Sequence, residues 1–185
     1  MTILEKLLRH DAWTTRLHLT RAAKLPDAAL DQPFDMGHRT LRRTFRHIVG
    51  NMECWCDLLM GRPQRSSTGT PGNDIPALLA RLDVVAAELI AFGQSFSSSG
   101  REEETFIDYL DNPPCRKSVG TALVHLATHG MHHRAQCLWM MRKLGVRDLP
   151  EGDAFGWEKA YSVNSADLCG DLERDLELRK EQTGT

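Results

Sequence analysis

The chain has 185 residues, is 41% hydrophobic and carries a formal net charge of -2, which suits one domain with a sizeable core and leaves no basic footprint for nucleic acid. No apolar run approaches the roughly 20 residues that span a bilayer, and the opening Met1-Thr2-Ile3-Leu4-Glu5-Lys6 lacks the long apolar core of a signal peptide. A cytoplasmic protein is expected, and its five cysteines, Cys54, Cys56, Cys115, Cys137 and Cys169, are odd in number and irregularly spaced, as reduced thiols would be.

In chain order, a first helix is predicted over about 3 to 23 from the spacing of Ile3, Leu4, Leu7, Leu8, Trp13 and Leu17, and it stops at Leu25-Pro26-Asp27. A loop with Pro33 and Gly37 leads to a second stripe, Leu41, Phe45, Ile48, Met52, Trp55 and Leu59, closed by Gly61-Arg62-Pro63. Cys54 and Cys56 on that helix point about 200° apart, which makes them packing residues rather than a chelating pair. Residues 62 to 73, rich in Gly, Pro, Ser and Thr, read as a mobile loop before a third helix over about 75 to 96.

From 97 to 117 the helical period fails. The run Thr105 to Leu110 and the turn Asp111-Asn112-Pro113-Pro114 point to an irregular connection with a short hairpin. Ser118 or Thr121 caps a fourth helix that reaches about Leu144 and ends at Gly145. Residues 146 to 162 read as irregular because of Pro150, Gly152 and Gly156, and a last helix is expected near Ser165 to Glu181 on Leu168, Leu172 and Leu176. Four long amphipathic helices in a chain this short imply an all-α fold: a four-helix bundle with a short additional C-terminal helix, in a single domain over 1–185.

Chemistry concentrates on the fourth helix, where His125, His129, His132 and His133 make up half of the eight histidines in the chain. Residues four apart on a helix project within about 40° of each other. The pairs His125/His129, His129/His132 and His129/His133 can therefore each share a metal ion, whereas His125 and His132, about 10.5 Å apart along the axis, cannot. Any usable pair leaves a ligand to come from elsewhere, and His10, His18, His38 and His47 are the candidates. By spacing His10 falls on an inward stripe with Leu7, Thr14 and Leu17, while His47 lies about 120° from the centre of its own stripe.

The run Thr44-Phe45-Arg46-His47-Ile48 followed by Glu53 and Trp55, the element His125-x3-His129-x2-His132-His133-Arg134-Ala135-Gln136, and Leu144-Gly145-Val146 with Asp153 together resemble the DinB/YfiT-like family. The likeness extends from Asp11-Ala12-Trp13 to about Trp157, with Ala135 standing where the family usually has glycine. The resemblance implies a four-helix bundle, often a homodimer, in which His47, His129 and His133 bind a divalent metal. It thereby favours His47 over His10, and leaves His125 and His132 as neighbours. Relatives include S-transferases dependent on a low-molecular-weight thiol, such as bacillithiol or mycothiol, and maleylpyruvate isomerase-like enzymes.

A metal-dependent enzyme that activates a small thiol is thus the first expectation, with Arg134 a candidate anchor for an anionic small-molecule substrate. A non-catalytic metal-binding stress-response module is the alternative. A metal-dependent hydrolase ranks lower, since Glu53 lies six residues from His47 on another face. Gly130 stands where a His-Glu-x-x-His protease needs its glutamate, no Glu-x-x-His pair of a di-iron bundle occurs, and the spacing of a zinc finger is missing. Imidazole ligation favours zinc or nickel, with manganese or iron also admissible.

Overall fold

The computed structural model describes residues 1–65, 74–97, 101 and 103–163. Its elements are α1 (Ile3–Ala22), α2 (Asp27–Leu30), α3 (Leu41–Leu59), α4 (Ile75–Ser97), β1 (Thr105–Asp108), β2 (Cys115–Ser118), α5 (Val119–Lys143) and α6 (Ala154–Val163). The principal helix contacts run from α1 to α4, α4 to α3, α3 to α5 and α5 back to α1, the closed ring of a four-helix bundle. None of the described helices is long and apolar enough to cross a membrane.

Each main helix begins on an oxygen that satisfies a first-turn amide. Thr2 accepts from Glu5 N, Thr40 from Arg43 N, Asp74 from Ala77 N and Ser118 from Thr121 N, at 2.8–3.3 Å. Helices α3 and α5 stop before Gly61 and Gly145, whose φ of 63° and 82° suit glycine. Between α4 and α5 the expected hairpin forms, with β1 and β2 antiparallel and Thr105 opposite Ser118.

The core draws Phe45, Ile48 and Val49 from α3, Leu78, Leu82 and Val85 from α4, and Leu123, Leu126 and Met140 from α5. Helix α1 departs from expectation. Its buried face is Leu8, Asp11, Thr14, Thr15, His18, Leu19 and Ala22, while Ile3 is 87% exposed. The stripe that turned His10 inward is therefore displaced, because the interior accepts polar residues that find partners there. The Asp11 carboxylate receives the Arg134 guanidinium, which also donates to Thr15 Oγ1 at 3.2 Å. Asp11 and Arg134 are each only 4% exposed.

His18 is fully buried, with Nε2 donating to the Pro150 carbonyl at 3.2 Å and Nδ1 unpartnered. Burial first, and then the Arg134 charge, lowers its pKa to about 4. The unfolded imidazole takes up its proton near pH 6.5 and the folded one only near pH 4, so between these values the unfolded state binds more protons. The contribution is intact above pH 6.5 and is lost as pH falls towards 4, about 3 kcal/mol across the window. Urea titrations of wild type and His18→Gln from pH 7.5 to 4 should show the wild type losing its advantage on acidification; parallel curves would refute the assignment.

The chain divides into two units, Met1–Glu151 and Gly152–Thr185. In the second, α6 occupies part of a stretch expected to be irregular. Asp153 starts it, its Oδ1 accepting from Phe155 N and Gly156 N, both at 2.9 Å. The cap outweighs the helix-weakening Gly156, so the described part of the second unit is helical too. The helix expected near Ser165 to Glu181 lies outside the described residues.

Candidate metal centre

Adjacent helices α3 and α5 carry His47 and His129 to the same place. His47 Nε2 lies 3.2 Å from His129 Nε2, and the His133 ring centroid is 4.6 Å from that of His47 and 4.5 Å from that of His129. Two nitrogens bound to one tetrahedral zinc lie about 3.3–3.4 Å apart, so the His47–His129 spacing matches a ligand pair as well as an N–H···N hydrogen bond. A fourth imidazole joins from the loop before α3. The His38 ring centroid lies 3.8 Å from that of His47, the rings tilted by 32°, and one ligand atom from each of His38, His47 and His133 falls within 4.8 Å of the others.

These imidazoles are suited to metal binding in their protonation state. Burial lowers His47 and His129 to about 4, helped by the charge of the neighbouring histidines, and also lowers His38 and His133. At neutral pH they are uncharged, with lone pairs available. His133 is further oriented: its Nδ1 donates to Gln136 Oε1 at 2.9 Å, which leaves Nε2 as the free ligand atom. The Gln136 amide nitrogen in turn donates to His132 Nε2 at 3.0 Å. An all-imidazole donor set of this kind fits a borderline divalent ion such as zinc or nickel.

The other candidates stand apart. His10 bonds Thr14 Oγ1 at 3.2 Å on its own helix, and His18 faces Pro150. His125 lies between Trp55 and His129, its ring 5.2 Å from each, and His132 is the partner of Gln136. The Arg134 guanidinium is engaged by Asp11 and Thr15 inside the bundle. Glu53 forms a bidentate pair with Arg81 at 2.6 and 3.0 Å.

The loop that carries His38 is held against α5 and by its own backbone. Phe34 packs edge-on against Trp139 of α5 with ring centroids 5.7 Å apart, and Phe34 N bonds Arg39 O at 2.7 Å. Gly37, at φ 43°, sits so close to α5 that a Cβ there would lie 2.5 Å from Gln136 Oε1. Arg39 adopts φ 70°, a left-handed conformation that costs a non-glycine residue about 1–2 kcal/mol. Sequence reasoning named His38 among its candidates and did not select it. The Gly37 left-handed turn was the one available signal.

An all-α bundle whose neighbouring helices bring neutral histidines together defines a class: helical-bundle proteins with a site compatible with a divalent metal. Within that class the chain belongs to the DinB family, whose family model matches residues 1–155. Among solved structures it is similar to a DinB-like protein from Bacillus cereus ATCC 10987, at 20% identity and a TM-score of 0.58, over 76% of this chain and 89% of that one. At that identity the likeness concerns the fold. No curated protein matches the chain.

Proposed function

We propose that this DinB-family protein is a divalent-metal-dependent enzyme that activates a small thiol for S-transfer or isomerisation. The observation that carries the reading is the cluster of uncharged imidazoles at the junction of α3 and α5. His47, His129 and His133 are the proposed helix-borne ligands, for zinc or nickel in preference to manganese or iron. When bound, the ion supplies a Lewis acid that lowers the pKa of a coordinated thiol and holds it as thiolate.

The chain's own residues fit that division of labour. Gln136 fixes the His133 tautomer, and Trp55 and His125 extend an aromatic wall away from the cluster. The protein's described cysteines are poor nucleophiles: burial pushes Cys56 up to about 12 and raises Cys54 and Cys137, and the hydrogen bond to Asp111 raises Cys115. The reactive sulfur would therefore come from a cofactor thiol. Hydrolysis is less well supported, because Glu53, the carboxylate weighed as its base, is already paired with Arg81.

The test is a titration of the cobalt(II)-loaded protein with bacillithiol, and separately mycothiol, followed by thiol conjugation to an electrophile. Thiolate-to-cobalt absorption and a metal-dependent conjugation rate are expected with at least one of the two. A protein that binds cobalt stoichiometrically but shows neither response would leave metal binding without thiol chemistry.

A further inference from the structure

Resting on the metal-binding part of that reading, we propose that His38 is a fourth, displaceable metal ligand that holds the coordination position an incoming substrate takes. Its ligand atom belongs to the set with His47 and His133 that lies within 4.8 Å, and its ring centroid is 3.8 Å from that of His47. That set holds three imidazoles, and His129 stands beside it with its Nε2 3.2 Å from His47 Nε2.

The loop is built to deliver that side chain. Phe34 against Trp139 and Gly37 against Gln136 dock it on α5, the helix that carries His129 and His133. The Phe34 N to Arg39 O and Arg39 N to Met36 O bonds, 2.7 and 2.8 Å, close the loop on itself. His38 sits between two left-handed residues, Gly37 and Arg39. A strained non-glycine conformation persists only where its surroundings enforce it, and such residues cluster at ligand clamps and switches. Gln136 belongs to both parts, orienting His133 and meeting the Gly37 turn.

The location also determines which ligand yields. His47, His129 and His133 are anchored in long helices of the bundle core, so their withdrawal would disturb packing. His38 is held by a short loop, and a loop can withdraw it without moving a helix. The resting site would then be four-coordinate and closed, opening when a small anion or thiolate competes with one imidazole. The cost of that competition appears as weaker apparent binding of the incoming ligand.

The experiment uses X-ray absorption to count imidazoles on zinc in wild type, His38→Ala and His38→Gln, with helical circular dichroism as the folding control. Azide binding to the cobalt(II) forms reads the open position. Four imidazoles in wild type and three in both variants, with metal retained and azide bound about tenfold more tightly, is the expected result. If His38→Ala is not folded, His38→Gln carries the comparison. An equal imidazole count in wild type and variant overturns the role of His38 while leaving the metal site intact. A folded variant that loses the metal overturns displaceability. A wild-type protein that binds no metal overturns the metal site and this inference together.

Discussion

Asp11→Ala should destabilise the protein by about 3–5 kcal/mol, the usual loss when one partner of a buried ion pair is removed and the other charge is stranded. Arg134 would be left inside the bundle with Thr15 as its remaining described side-chain partner. For a chain of this length the loss corresponds to a fall in Tm of about 10 °C. The double variant Asp11→Leu with Arg134→Met removes both charges and should recover much of it. Scanning calorimetry of wild type, single and double variants decides the matter: equal losses in the single and double variants would show that the pair is not acting as a unit.

The same pair accounts for Gly130. A Cβ at that position would lie 2.6 Å from Asp11 Oδ1 and 2.7 Å from an Arg134 guanidinium nitrogen. In an ordinary helix, replacing glycine by alanine gains about 1 kcal/mol. Here the added methyl would force the two charged side chains to shift. Gly130 had excluded a protease on motif grounds; in the bundle it is the space into which the ion pair fits.

His133→Ala is expected to release the metal, with affinity falling by more than about 100-fold, and Gln136→Leu should weaken it by about 10–100-fold. His133 belongs both to the proposed helix-borne set and to the three histidines with converging ligand atoms, so its removal breaks both sets. Gln136 offers no imidazole; it acts through the 2.9 Å bond to His133 Nδ1. Competition with a chelating dye, read alongside helical circular dichroism, measures both. Unchanged affinity in folded His133→Ala would remove His133 from the ligand set.

The bundle was legible because α3, α4 and α5 announce themselves by apolar spacing and by local stop signals such as Gly61 and Gly145. The hairpin was legible from the failure of that spacing between Ser97 and Lys117. Helix α1 was read on the wrong face, since Asp11, Thr15 and His18 look like surface residues until Arg134 and Pro150 arrive from far along the chain. Helix α6 was hidden by Gly152 before it and Gly156 within it, although Asp153 had the chemistry of a cap.

The site shows the same division. His129 and His133 came forward as candidates because they share one helix and its geometry, and the structure places both beside His47. His47 was not readable by apolar period, because it lies at the rim of the core, half-buried and to one side of the stripe. Resemblance brought it forward where periodicity favoured His10. His38 depends on a loop whose path follows from Gly37, Arg39 and the docking of Phe34, none of which has a period to detect.

His47 and His129 are 82 residues apart in the chain yet 3.2 Å apart at their nitrogens. An ion shared by them would tie together positions 82 residues apart in the folded chain and be released on unfolding. Its stabilisation would be its binding free energy, about 4 kcal/mol at a free-ion concentration a thousandfold above Kd. The folded bundle would thus possess a cross-tie made without sulfur and opened by a chelator rather than a reductant.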